Sequence, residues 1–253
     1  MLIVISPAKT LDYSESRVEA LDSPKFRKQS LELVGILKEK SVSQLKSMMS
    51  ISDSLAELNH SRYQNYSSRF TDNNSKAALL AFKGDVYLGL DAESLDQKDL
   101  EYAQDHLRIL SGLYGVLKPL DKMQPYRLEM GTSLKNAQGN NLYDFWDDAI
   151  TKELNKALKD QKEKVLVNLA SNEYFKSVKK DKLKGEILDI QFKEYRDGKL
   201  KFLSFNAKKA RGLMSRYIIQ NRVEHKDKLK AFNLDNYYFN EELSSESNYV
   251  FVR

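Results

Sequence analysis

Leu2-Ile3-Val4-Ile5-Ser6-Pro7-Ala8-Lys9-Thr10 sets the architecture. Four consecutive apolar residues, three of them β-branched, read as a short strand buried on both faces. Pro7 has no N–H to give to a ladder and biases Ser6 toward extended geometry, so the strand stops and a loop begins. Lys9 therefore stands just past a strand end, where open α/β sheets usually bind ligands. A second run of the same kind, Val165 to Leu169, ends in Ala170-Ser171-Asn172-Glu173. Buried strands alternating with helical patterns predict a mixed α/β (α+β) chain.

Working outward, Phe26, Ser30, Leu33, Val34 and Leu37 recur at helical spacing after Pro24. Ser43 reads as the cap of a second helix carrying Leu45, Met48 and Met49, and a third helix spans roughly 54–66. The apolar segment 77–90 breaks at Lys83-Gly84-Asp85, a turn signal. Asp96 caps a helix running to His106, with Asp99 at its third position. Phe145 to Leu158 is one amphipathic helix by its stripe. Leu188, Ile190 and Phe192 alternate with polar neighbours. The alternation resumes at Leu200 and Phe202 after Asp197-Gly198, which supplies the positive φ values a tight hairpin demands. A helical period returns from 207 to about 222, and 236–253 reads as irregular apart from a strand at Tyr249 to Val252. No repeat or linker marks a boundary, so the expectation is one domain over residues 1–253.

The chain has 253 residues, no cysteine and a net charge of +5. Lack of cysteine excludes disulfide scaffolds, thiol nucleophiles and thiolate metal sites. The apolar opening is far shorter than a secretory or membrane-spanning segment, which predicts a cytoplasmic protein with no membrane partner. His60, His106 and His225 belong to no metal-binding spacing, and neither a phosphate-binding glycine loop nor a dinucleotide fingerprint is present. The reading is therefore no metal and no cofactor. Residues 161–253 hold twenty Lys and Arg against thirteen Asp and Glu. That excess favours an anionic partner such as nucleic acid, although a solvated lysine-rich exterior gives the same count.

Two sets of residues carry candidate chemistry. Lys208 and Arg211 share one helical face, and Lys209 and Arg216 lie beside them seven apart. This mixture of point charges and planar forks suits nucleic-acid phosphates. Lys176, Lys179 and Lys180, continuing to Lys182 and Lys184, form a basic run that fits the same use or a solvated face. The second set reads as a pocket: Lys9, Arg127, Glu129, Asn172 and Glu173 combine a base, an anion fork and carboxylates. Converged, they would hold a nucleotide, a flipped base or another phosphate-bearing ligand, with a desolvated Lys9 as base or nucleophile. Arg127 with Glu129 reads equally as a structural ion pair.

Five segments together resemble the YaaA family of peroxide-stress proteins: Leu2 to Asp12 (LIVISPAKTLD), Phe82 to Leu90 (FKGDVYLGL), Leu107 to Gly131 (LRILSGLYGVLKPLDKMQPYRLEMG), Asn168 to Lys176 (NLASNEYFK) and Ala207 to Arg216 (AKKARGLMSR). The resemblance runs essentially end to end. It implies a family-specific fold with a mixed central sheet wrapped by helices, a basic cleft, and a helix-hairpin-helix element used on double-stranded or branched DNA. On this chain the hairpin would fall at Gly112 through Gly115. The resemblance also implies protection against hydrogen peroxide by limiting iron-driven damage. Asp147-Asp148 offers oxygen ligands, but acids at a helix start are explained equally by capping.

Overall fold

A computed structural model describes all 253 residues. Its main sheet is built from β1 (Leu2–Ile5), β2 (Leu107–Ser111), β3 (Gly115–Leu117), β4 (Val165–Leu169), β5 (Glu186–Arg196), β6 (Lys199–Lys201), β7 (Tyr238–Ser245) and β8 (Asn248–Val252). Around it lie α1 (Arg27–Lys38), α2 (Val42–Met49), α3 (Asp53–Gln64), α4 (Asp85–Leu90), α5 (Gln97–His106), α6 (Leu142–Trp146), α7 (Ala149–Lys159), α8 (Asn172–Phe175) and α9 (Ser204–Gln220). The strand order is β7-β8-β5-β4-β1-β2-β3, with β6 paired to β5. From β8 to β2 all neighbours are parallel, and β3, β6 and β7 are antiparallel additions. The fold is thus mixed α/β, as the apolar runs imply.

The three central strands are buried throughout, as their largely apolar sequences require, with Arg108, Ser111 and Asn168 as buried polar members. β1 pairs with β4 (Ile5 opposite Leu169) on one side and with β2 (Ile5 opposite Ile109) on the other. The chain leaves β1 toward β2 and leaves β4 toward β5, in opposite directions along the sheet. Between β1 and β4 the connections therefore diverge and open a crevice at the carboxyl ends of both strands. Buried apolar residues from Met1 to Phe251 form one contiguous cluster.

Local signals account for most boundaries. Asp96 accepts the Asp99 N–H at 2.8 Å and starts α5. The tight turn between β5 and β6 has φ of 54° at Asp197 and 68° at Gly198. Four expectations change. Ser41, not Ser43, caps α2, in a reciprocal box with Gln44. The helix expected over 145–158 is two, because Asp147 takes φ 38° and bends the chain. That bend accompanies Trp146 packing against Gly115 and donating Nε1–H to the Gly112 carbonyl at 2.9 Å. Residues 236–253 contain a hairpin, since β7 is a largely exposed edge strand whose polar sequence shows no alternation.

The fourth change concerns Gly112 through Gly115. This segment joins β2 to β3 in an antiparallel hairpin, with Ser111 opposite Gly115, and Leu113 and Tyr114 are wholly buried. It is not a helix-hairpin-helix. A Cβ on Gly112 would stand 2.2 Å from the Leu128 carbonyl oxygen, so its glycine serves close backbone packing in the interior, out of reach of a DNA phosphate.

Candidate functional site

The crevice between β1 and β4 is a cleft of about 510 Å³. Its floor is the Ser6–Thr10 loop on one side and Ser171, Glu173 and Tyr174 on the other. Ser6 ties the two together: its Oγ accepts the Ser171 N–H at 2.9 Å, while its carbonyl accepts the Tyr87 hydroxyl at 3.1 Å. Thr10-Leu11 pairs antiparallel with Phe82-Lys83, which carries the Lys83-Gly84-Asp85 turn to the cleft wall.

The opposite wall is α9, delivered by two glycines. A Cβ on Gly212 would lie 1.9 Å from the Val86 carbonyl oxygen, and one on Gly89 would lie 2.2 Å from that of Lys209. Only bare backbone lets α9 and α4 cross this closely, and the crossing sets Lys208 and Arg211 beside the loop after β1. Lys9, Lys83, Lys208 and Arg211 thus share one cleft with Asp85, Glu129 and Glu173.

Pairing separates these charges. Lys9 Nζ lies 2.6 Å from Glu129 Oε2 and remains 63% exposed. Arg127 donates to the other oxygen of Glu129 at 3.0 Å, from behind the wall. Lys83 pairs with Asp12 at 2.9 Å, and Glu173 Oε1 accepts the Gly131 N–H at 2.9 Å. Lys208 and Arg211 have no carboxylate within ion-pair distance. The Nε of Arg211 is shut off from solvent with no acceptor, and burial alone pulls its guanidinium below the usual arginine range. Arg211 thus lines the cleft as a cation with no protein counter-ion.

The structure thus brings Lys9, Glu129 and Glu173 together with Lys208 and Arg211, residues from widely separated parts of the chain. Arg127 and Asn172 do not line the cleft. Lys209 lies 3.9 Å from Asp235, and Arg216 donates to the carbonyls of Leu90 and Asp91 at 2.9 Å, closing the end of α4. The basic run turns elsewhere: Lys176 and Lys180 stack on Tyr143 and Phe175, and Lys179 faces Asp147. Asp148, which pairs with Lys152 and Lys182, completes that surface. Sequence reasoning misses Ser6 and Lys83; the signal for the α4–α9 crossing is a glycine inside each helical pattern.

No helix is long and apolar enough to cross a membrane. Chemically the cleft sets the unpaired cations Lys208 and Arg211 opposite the carboxylate of Glu173. Its serines have no histidine beside them, and its one strand-end lysine is already salt-bridged. Residues 1–243 match the family model described as peroxide stress protein YaaA. The chain is also similar to a UPF0246 protein of Janthinobacterium sp. (strain Marseille), with 52% identity over 254 residues covering 100% of this chain and 98% of the relative.

Proposed function

This chain belongs to the YaaA family of peroxide stress proteins, and from that premise we propose that it binds the phosphate backbone of DNA at the cleft between β1 and β4. One observation carries the reading: Lys208 and Arg211, on the cleft wall, are cations that the protein itself leaves without counter-ions. Lys9 and Lys83 stand exposed at the same opening, their carboxylate partners exchangeable for phosphate because exposed ion pairs are worth little. Contacts to phosphate carry no base code, so double-stranded and branched DNA are both bound with little sequence preference. Protection from iron follows through DNA: a protein seated on the backbone shields it from radicals generated nearby and needs no iron ligand of its own.

Nucleotide chemistry with Lys9 as base or nucleophile and Arg127 as anion holder has less support. Both side chains end on the same Glu129 carboxylate, and Lys9 is largely exposed. The test is duplex binding across a salt series. Each neutralised phosphate adds about 0.9 to the slope of log K against log salt, so the exposed cations Lys9, Lys83 and Lys208 give a duplex slope up to about −2.7. Lys208→Glu, which changes an exposed residue, lowers affinity and reduces the slope by about one. A slope near zero, or a Lys208→Glu protein that binds normally, overturns the assignment.

A further inference from the structure

Duplex contact at the cleft mouth leaves the position of Arg211 unexplained. A duplex is too wide to enter a cleft of about 510 Å³, yet the Nε of Arg211 is out of solvent within its wall. That volume falls in the range of small-ligand pockets, about 300–1,000 Å³. The group that reaches Arg211 is therefore narrow. We propose that the cleft admits a single unstacked nucleotide, a strand end or one extruded from the duplex, with its phosphate on Arg211 and Lys208 and its base toward Glu173. The inference rests on reading the cleft as a DNA site.

The hydrogen-bonding groups still open in the cleft fit such a ligand from end to end. Lys208 and Arg211 supply the anion donors. Ser6 Oγ is occupied by Ser171, so the Ser171 hydroxyl is the one free to donate. Glu129 has a cation on each oxygen, Lys9 and Arg127, whereas Glu173 has none. Glu173 has one oxygen on the Gly131 N–H, and its second oxygen has no protein donor, leaving an acceptor for an exocyclic amino N–H of a base edge. Tyr87 and Tyr174 add apolar wall, the Tyr87 hydroxyl being turned inward to the Ser6 carbonyl. A carboxylate within the same cleft as the cations disfavours inorganic phosphate or a polyphosphate, which are anionic throughout. It favours a ligand that is anionic at one end and a hydrogen-bond donor at the other.

The probes are the four deoxynucleoside 5′-monophosphates, inorganic phosphate and deoxyribose 5-phosphate, each added to the full chain in thermal melts. At a hundredfold excess over Kd, nucleotide raises Tm by about 5–10 °C, with dAMP, dGMP and dCMP, which carry exocyclic amines, ahead of TMP. Arg211→Met weakens that binding about 10–100-fold, and Glu173→Gln reduces the preference among bases while leaving phosphate recognition in place. A duplex with a bulged 2-aminopurine gives a fluorescence change on binding that Arg211→Met removes. Equal shifts from phosphate, sugar phosphate and nucleotide overturn the inference, because the base is then unread. Duplex binding with a normal salt slope but no nucleotide shift and no 2-aminopurine response overturns it while leaving backbone binding standing. Nucleotide shifts without duplex binding overturn the backbone reading and retain the pocket.

Discussion

Replacing Arg211 by methionine separates a residue kept for function from one kept for the fold, because the two roles predict opposite signs. Methionine preserves much of the aliphatic stem but removes the charge and the enclosed Nε donor. That donor has no acceptor, and leaving a buried donor unsatisfied costs about 1–3 kcal/mol. Nothing offsets the cost in the free protein, since no carboxylate lies within ion-pair distance and burial is the sole cause of the lowered pKa. The free variant is therefore more stable than the parent. For a chain of this size 1 kcal/mol moves Tm by about 2–4 °C, so the expected rise is roughly 2–12 °C. Binding of DNA with an unstacked nucleotide moves the other way, with a salt slope smaller by about 0.9 and a loss of affinity at every salt concentration. Differential scanning calorimetry and a fluorescence-anisotropy salt series read the two effects on the same preparation. A variant that melts lower than the parent and binds DNA with an unchanged slope refutes the reasoning and makes Arg211 a packing residue.

Three further perturbations test the fold, two of them at the cleft itself. Burial raises the Asp121 carboxyl from its ordinary value to about 7, so the folded protein holds that proton more tightly than the unfolded chain. The stabilisation is full below about pH 4 and is lost as pH rises through 7. Asp121→Asn should be near neutral at pH 4.5 and stabilising by on the order of 4 kcal/mol at pH 8 in urea melts; an equal effect at both pH values contradicts it. Gly212→Ala places a Cβ 1.9 Å from the Val86 carbonyl oxygen, and the forced separation of α9 from α4 should cost about 3 kcal/mol and lower Tm by roughly 6–12 °C. An unchanged melting profile would mean the helices do not cross at these glycines. Ser6→Ala leaves the Ser171 N–H without its acceptor across the β1–β4 crevice and should cost about 1–3 kcal/mol in the same melts; wild-type stability would show that the serine bridge is not holding the crevice.

What the sequence discloses and what it withholds divide along a physical line. β1, β4 and the Asp197-Gly198 turn are legible because each is set by neighbours within a few residues: apolar runs buried on both faces, and φ values that glycine and aspartate tolerate. β7 is hidden because an exposed edge strand needs no apolar alternation. Gly112 and Gly115 show how one local pattern serves two geometries: a phosphate-gripping turn between helices, or a buried strand hairpin packed on Trp146. Only the surrounding elements decide between them. The cleft is the extreme case, since Lys9 and Arg211 meet through strand order and a helix crossing, neither of which is written near either residue. Charge density along the chain misleads for the same reason. Residues 161–253 hold twenty Lys and Arg, but Lys179, Lys182, Lys209 and Arg216 face nearby carboxylates, and Lys176 and Lys180 cover aromatic rings. On the proposed reading, binding follows the cations that the fold leaves without partners in a concave place. On the wall of this cleft those are Lys208 and Arg211, so a partner is selected by where pairing fails and not by how many positive charges the chain carries.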